Sequence, residues 1–346
     1  METRVCCLHG KNDIRIETRD VTDPGVGEVL ISVGAGGICG SDLHYYQDGG
    51  FGPIRVREPI ILGHEAAGYV RAVGPGVEGL TQGDLVAISP SRPCRTCKFC
   101  LQGLQQHCLD MKFSGSAMRM PHEQGLFRDQ IVVPAGQCHR LTGDVSAQEA
   151  ACSEPLSVCL HARNMAGSLD GKRVLVTGSG PIGALCVAVA RNGGAAEVVV
   201  TDLHDVPLSA AAAMGATRTI NMAQDPDALT GYAADKGYFD VAFECSAAAP
   251  AIRNAIEALR PQGTLVQVGV AGDTSLPLNL LVSKEITFKG THRFHAEFAQ
   301  AAHMISNGDI DVTPMITQSI SLDRAVEAFE AAGDRAKAVK VHLVFD

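Results

Sequence analysis

The chain has 346 residues, 46% of them apolar and 19% charged, which fits a globular protein of two domains and excludes a disordered one. Its formal net charge of −9 argues against nucleic acid or an anionic membrane as the main partner. The longest apolar run, PIGALCVAVA, stops at Arg191 after about half the length of a membrane span, and no apolar signal core opens the chain. A cytoplasmic protein with twelve reduced cysteines is therefore expected.

The opening METRVCCLHGKNDIRIETRD is polar and strand-like. The first 150 or so residues carry short strands, many Gly and Pro punctuators and little helical periodicity, which predicts a β-rich, barrel-like domain. Cys39 lies in GGICGSDLHYYQ, and His64 and Glu65 lie in ILGHEAAGYV, just after a strand-like run. Next, CRTCKFCLQGLQQHC places Cys94, Cys97, Cys100 and Cys108 at C-x2-C-x2-C-x7-C, so that one short loop wraps a tetrahedral ion. Zinc suits four thiolates, with an iron–sulfur cluster as the smaller rival. Four protein ligands leave no position open to substrate, so this lobe (94–108) is expected to be scaffolding. Glu154 stands beside Pro155 in ACSEPLSVCLHA, at a predicted helix start. If the fold gathers Cys39, His64, Glu65 and Glu154, one soft and several harder ligands make an open zinc site that admits water or an alcohol oxygen.

The middle third changes character. Val174–Val176 reads as a buried strand, Gly178-Ser-Gly180-Pro181-Ile182-Gly183 follows, an apolar helix runs to about Asn192, and the strand EVVVTD closes at Asp202. A strand–turn–helix–strand unit with this glycine spacing and a terminal acid is a dinucleotide fingerprint. Its glycines permit close backbone approach, the pyrophosphate sits on the helix N-terminus, and the carboxylate binds the ribose hydroxyls. Asp202 would repel a 2′-phosphate, which favours NAD over NADP. ATRTIN, FDVAFECS, GTLVQVGV and EITFKGTHR are four further strands. PLSAAAAMGA, the stretch around DPDALTGYAADKG, and APAIRNAIEALRPQ read as the intervening helices. Six strands with helical crossovers predict a doubly wound parallel sheet. From about residue 291 come helical AEFAQAAHMISNG and LDRAVEAFEAAGD, and then the strand KAVKVHLVFD, which could return to the first domain. There is no internal repeat or long flexible linker.

Cys39, the GHE at 63–65, the four-cysteine lobe, EPLSV and GSGPIG, in that order, resemble the zinc-dependent medium-chain dehydrogenases over essentially the whole chain. Glu154, where alcohol dehydrogenases of that superfamily have a cysteine, resembles the polyol (sorbitol) dehydrogenase branch. GGICGSDLHYYQ, FSGSAM with Pro121-His122, KGYFDV and GDRAKAVKV resemble the idonate 5-dehydrogenases within it.

The resemblance implies an α/β plus β fold. A GroES-like zinc-binding catalytic domain (1–153) precedes a Rossmann NAD-binding domain (154–290), and a C-terminal segment (291–346) returns to the first. It implies two zinc ions, one catalytic and one structural, with NAD as cofactor and a homo-oligomer, dimer or tetramer. Cys39, His64, Glu65 and Glu154 match the catalytic zinc site, and which carboxylate binds directly stays open. Ser41 matches the hydroxyl that takes the alcohol proton, and His44 its exit. Tyr45, Arg293 and Phe294 match substrate-facing positions of the polyol branch. Ile182, Asp202, Val268, Gly269, Val270 and Thr291 match cofactor contacts, with Arg293 reaching that side as well. An arginine common near the adenosine in this branch is replaced by Pro207. A sugar acid also needs a cation for its carboxylate, for which Arg293, Arg119 and His122 are candidates. The expected reaction is oxidation of a secondary alcohol of a sugar acid, with a polyol as the alternative substrate. A non-catalytic NAD-binding sensor would need no open zinc site, and a zinc-free quinone reductase would lack Cys39 and His64.

Overall fold

The computed structural model describes residues 1–270 and 272–345. Two β systems share the chain. The first is a seven-stranded sheet ordered Cys138–Arg140, Leu85–Ile88, Glu65–Val73, Glu28–Gly37, Lys340–Val344, Ile316–Ser321, with Gln130–Pro134 also paired to Glu28–Gly37. Beside it the hairpin Glu2–Gly10 and Asp13–Asp20 pairs through its first strand with Ile60–Ile61. Strands on the inner side alternate buried and less buried residues, and their apolar faces meet in one core containing Leu8, Ile31, Ile60, Val86, Phe127, Phe329 and Leu343.

The second system is a six-stranded parallel sheet ordered Arg218–Asn221, Glu197–Asp202, Arg173–Thr177, Phe239–Glu244, Leu259–Gln267, Thr287–Gly290. Its central strands are Val-rich and buried on both faces, which is why Val174–Val176 and Val198–Val200 read as continuous apolar runs. Strand order reverses between Arg173–Thr177 and Phe239–Glu244, and a doubly wound sheet opens its ligand crevice at that point. The helix Pro181–Asn192 covers one face; proline at its first turn costs no hydrogen bond, and Arg191 in its last turn suits the helix dipole. One core cluster runs from this sheet through Cys152–Ala162 to Ala67 and Ala87 of the first sheet, so the two systems pack directly on each other.

Two local expectations are corrected. The stretch around DPDALTGYAADKG is not an α-helix: it is a 3₁₀ segment, Thr230–Lys236, interrupted at Ala234 and Asp235. Pro226, Gly231 and Gly237 break any longer helical register there. GTLVQVGV joins the sheet only to Gln267, because the amides of Val268 and Gly269 both turn to the Glu244 carbonyl at 2.8 Å. Among the described residues no helix is long and apolar enough to cross a membrane.

The residue before His64 fixes how the chain enters the strand Glu65–Val73. Gly63 has φ of +94°, and a Cβ there would lie 2.2 Å from the Phe127 ring. Gly63→Ala combines left-handed strain with overpacking and is expected to destabilise the fold by about 2 kcal/mol or more, read as a lower denaturant midpoint at unchanged slope.

Candidate active site

Three neighbouring strands of the first sheet bring the reactive residues to one end. Cys39 follows Glu28–Gly37 and precedes the helix Gly40–Asp48, His64 and Glu65 open Glu65–Val73, and Lys340 opens Lys340–Val344. Gly37 and Glu65 are register partners, and a Cβ at Gly37 would fall 2.2 Å from Glu65 Oε2, so the bare glycine makes room for that carboxylate. One sulfur, one nitrogen and one oxygen donor of Cys39, His64 and Glu65 lie within 4.8 Å of one another. The donor set suits a borderline-soft dication with a fourth position left open, and so fits catalytic zinc.

Buried polar residues brace this cluster. Asp42, fully buried, accepts the Cys39 amide at 3.0 Å and the Gly63 amide at 3.3 Å, and its Oδ1 lies 3.6 Å from His64 Nδ1. Burial pushes the His64 pKa down, but Asp42 and Cys39 overcome that and hold it above the ordinary range. With Nδ1 turned to Asp42, the other ring nitrogen is left to a metal. Lys340, also buried, reaches both Glu65 oxygens, at 2.9 and 2.7 Å, and donates to the Ile38 carbonyl at 3.2 Å. Sequence reasoning passed over both residues. Their signals were an acid in the first turn after Cys39 and a lysine set between valines in a strand buried on both sides.

Glu154 sits in the first turn of the buried helix Ser153–Ala166. It stands outside the tight cluster yet feels the charges of His64, Glu65, Lys340 and Arg293, and burial pushes its pKa up to about 7. Among the described residues no protein donor bonds its carboxylate, whereas both oxygens of Glu65 are held. The two carboxylates are therefore inequivalent: Glu65 is fixed beside Cys39 and His64, and Glu154 keeps both oxygens available for water.

Around the cluster, the Tyr45 hydroxyl accepts the Ala117 amide at 3.3 Å, and Phe113 stands 5.6 Å from the His64 ring. Arg293, at φ +52°, lays its guanidinium 4.1 Å over Phe113, with Nη2 3.2 Å from the Met118 sulfur. Ser41 is half-buried on the helix Gly40–Asp48; His44, three residues on, bonds Asp48 through Nδ1 at 3.0 Å.

Three substrate-facing expectations are corrected. Phe294 is buried in the core, packed on Phe298 with ring centroids 5.6 Å apart. His122 is buried and structural: Nε2 accepts the Arg57 amide at 2.9 Å and Nδ1 lies 2.7 Å from the Arg119 carbonyl, leaving no free ring nitrogen. Arg119 is engaged by Asp110, with Glu123 3.9 Å away.

The glycine turn and Asp202 lie together at the crevice where strand order reverses. A Cβ at Gly183 would sit 1.8 Å from the Gly178 carbonyl oxygen, and one at Gly178 would strike Ser246 at 2.9 Å, so structure demands both glycines. A Cβ at Gly180 would meet nothing within 4 Å, so the backbone at the helix N-terminus is open to a ligand. Asp202 accepts the Ser179 amide at 2.7 Å, and its other oxygen takes the Leu203 and His204 amides at 2.7 and 3.0 Å. Three buried polar atoms lack partners among the described residues at the carboxyl ends of this sheet: Ser179 Oγ, Gln267 Oε1 and Thr291 Oγ1. Orphaned groups in that position fit a polar cofactor lying across the strand ends. Ile182 packs from the turn, Val268 and Gly269 line the loop after Gln267, and Val270 is exposed; Pro181 opens the helix and Pro207 is buried in the first turn of Asp205–Ala213.

In the lobe, the four sulfurs of Cys94, Cys97, Cys100 and Cys108 lie within 4.8 Å of one another. Amides of Cys94 and Asp110 point at Cys108 Sγ (3.1 and 3.3 Å), and that of Cys97 at Cys94 Sγ (3.3 Å). Amides at Thr96 and Cys97 draw the Cys94 thiol down to about 6 while burial pushes Cys100 up to about 12; it is the four-sulfur donor set that fits a closed zinc site.

Residues 25–143 match the alcohol dehydrogenase GroES-like domain, and residues 181–307 match the zinc-binding dehydrogenase domain. The chain is 38% identical to L-idonate 5-dehydrogenase (NAD(P)(+)) of Escherichia coli, covering 100% of this chain and 99% of that protein. It is 36% identical to sorbitol dehydrogenase of Macaca fascicularis, covering 93% and 90%. The crystal structure of the E. coli L-idonate 5-dehydrogenase superposes with a TM-score of 0.93 over 100% of this chain and 99% of that one.

Asp42→Asn keeps the shape but removes the charge that orients His64. It is expected to weaken metal binding at Cys39/His64/Glu65 by about 10- to 100-fold while the four-cysteine lobe keeps its ion, measured by competition with a chelator.

Proposed function

The chain belongs to the zinc-binding alcohol dehydrogenases of the medium-chain family, and on that premise we propose that it oxidises a secondary alcohol of a sugar acid, L-idonate to 5-keto-D-gluconate, reversibly and with NAD. The observation that carries the substrate class is Arg293: a half-buried guanidinium beside the metal cluster that no carboxylate among the described residues approaches within ion-pair distance. A desolvated cation left unpaired is costly, and a substrate carboxylate would relieve it. The whole-chain likeness to an L-idonate 5-dehydrogenase supports the same choice. The family likeness supports a cytoplasmic homo-oligomer.

When bound, zinc supplies the positive charge that makes the carbinol hydroxyl acidic, and the nicotinamide supplies the hydride acceptor. The chain's residues do the rest. Cys39, His64 and Glu65 hold the metal position, with Lys340 and Asp42 fixing two of the three. Ser41 takes the hydroxyl proton and passes it to His44, whose Nδ1 is already held by Asp48, so that Nε2 delivers it to solvent. Glu154, buried with both oxygens free of protein donors among the described residues, would hold a water on the cluster's open side. Arg293 and the Tyr45 hydroxyl position the far end of the substrate. Asp202 bonds the adenosine ribose and disfavours a 2′-phosphate.

A polyol is the second reading, favoured by the likeness to sorbitol dehydrogenase. L-idonate is expected to exceed sorbitol in kcat/KM by about tenfold or more, ~1.4 kcal/mol of transition-state stabilisation. Arg293→Gln should erase that gap by slowing the acid far more than the polyol. Sorbitol turned over as well as L-idonate by the unaltered enzyme would place the chain with the polyol dehydrogenases. In the cofactor crevice, Asp202→Ala is expected to raise the NADP-to-NAD ratio of kcat/KM by about tenfold, and an unchanged ratio would remove Asp202 from the ribose.

A further inference from the structure

A third set of metal-binding donors lies away from both zinc positions, on the N-terminal hairpin. Cys7 and His9 are two residues apart on the strand Glu2–Gly10, and a register shift between Leu8 and Gly10 falls at His9, whose ring reaches Glu17 on the partner strand. Glu17 is the register partner of Val5 and therefore lies diagonally across from Cys7. The Cys7 sulfur, a His9 ring nitrogen and a Glu17 oxygen all lie within 4.8 Å of one another. We propose that Cys7, His9 and Glu17 form a third metal site, which binds a borderline-soft divalent cation of the zinc type.

The donor chemistry repeats that of Cys39, His64 and Glu65: one sulfur, one nitrogen and one carboxylate oxygen. The carboxylate is already oriented, since Arg19 pairs with one Glu17 oxygen while the other lies 2.6 Å from His9 Nε2. A cation would take the place of the Cys7 thiol proton, released to solvent, and bind His9 through the lone pair of its neutral ring. Thiolate and carboxylate then balance its two charges. Burial and the Glu17 charge push the Cys7 thiol up to about 11, against the opposing pull of Arg19 and Arg15. The Cys7 residue is buried, whereas the His9 and Glu17 side chains are each 22% exposed, so the fourth position faces solvent. The site would clip together both strands of the hairpin. Cys7 is also the register partner of Ile61, three residues before His64.

The test is metal stoichiometry of the intact enzyme, equilibrated with zinc chloride, passed through a desalting column and assayed by elemental analysis beside His9→Gln and Glu17→Gln. Both substitutions are at partly exposed positions outside the catalytic cluster, so the fold and the two other ions serve as internal controls. Three equivalents in the parent and two in each variant, with zinc affinity at the third site at least about tenfold weaker, is the expected result. Cadmium in place of zinc should add one thiolate-to-metal absorption band in the parent that His9→Gln lacks. Saturation at two equivalents in the parent, or a third equivalent that survives both substitutions, would overturn the proposal.

Discussion

The buried ion pair between Lys340 and Glu65 is the constraint on which the arrangement depends. It joins residues 275 apart in sequence, and both side chains are almost wholly removed from solvent. Either charge alone in that position would cost several kcal/mol, so neither partner can be lost where the C-terminal strand, paired to Glu28–Gly37 and packed in the core through Val341 and Leu343, brings its first residue to the metal cluster. The pair also explains why Gly37 carries no side chain, since a Cβ there would displace the carboxylate the pair requires.

The same pair divides the labour of two acids that look alike in sequence. Both Glu65 oxygens are held by the Lys340 ammonium at hydrogen-bond distance. Glu154 is buried without a fixed donor, and burial pushes its pKa up to about 7. Asp42 completes the frame by holding the Cys39 amide and facing His64. The cofactor crevice follows a different logic. There the strand ends present orphaned Ser179, Gln267 and Thr291 atoms rather than satisfied networks, leaving bonds for a ligand to make.

Local patterns carried most of the fold and half of the site. The valine runs, the glycine turn with its closing Asp202 and the spacing of the four-cysteine lobe are each set by short-range physics, and they stand where the pattern placed them. The region around DPDALTGYAADKG failed because proline and glycine outweighed a weak apolar period. His122 and Phe294 failed for another reason: a histidine or phenylalanine reads the same whether it faces a cleft or a core, and backbone partners 65 residues away decided the first. Lys340 and Asp42 were overlooked because their importance lies in burial and long-range pairing, which no window along the chain displays.

The most direct measurement of the central claim is a crystal structure of the zinc-loaded enzyme with anomalous scattering recorded at the zinc edge. The account expects a peak bound by Cys39, the His64 nitrogen remote from Asp42, and Glu65, with Lys340 still bonded to the Glu65 carboxylate and Glu154 reaching the ion only through water. A peak ligated directly by Glu154, with Glu65 withdrawn to Lys340 alone, or no peak at that cluster, would contradict it.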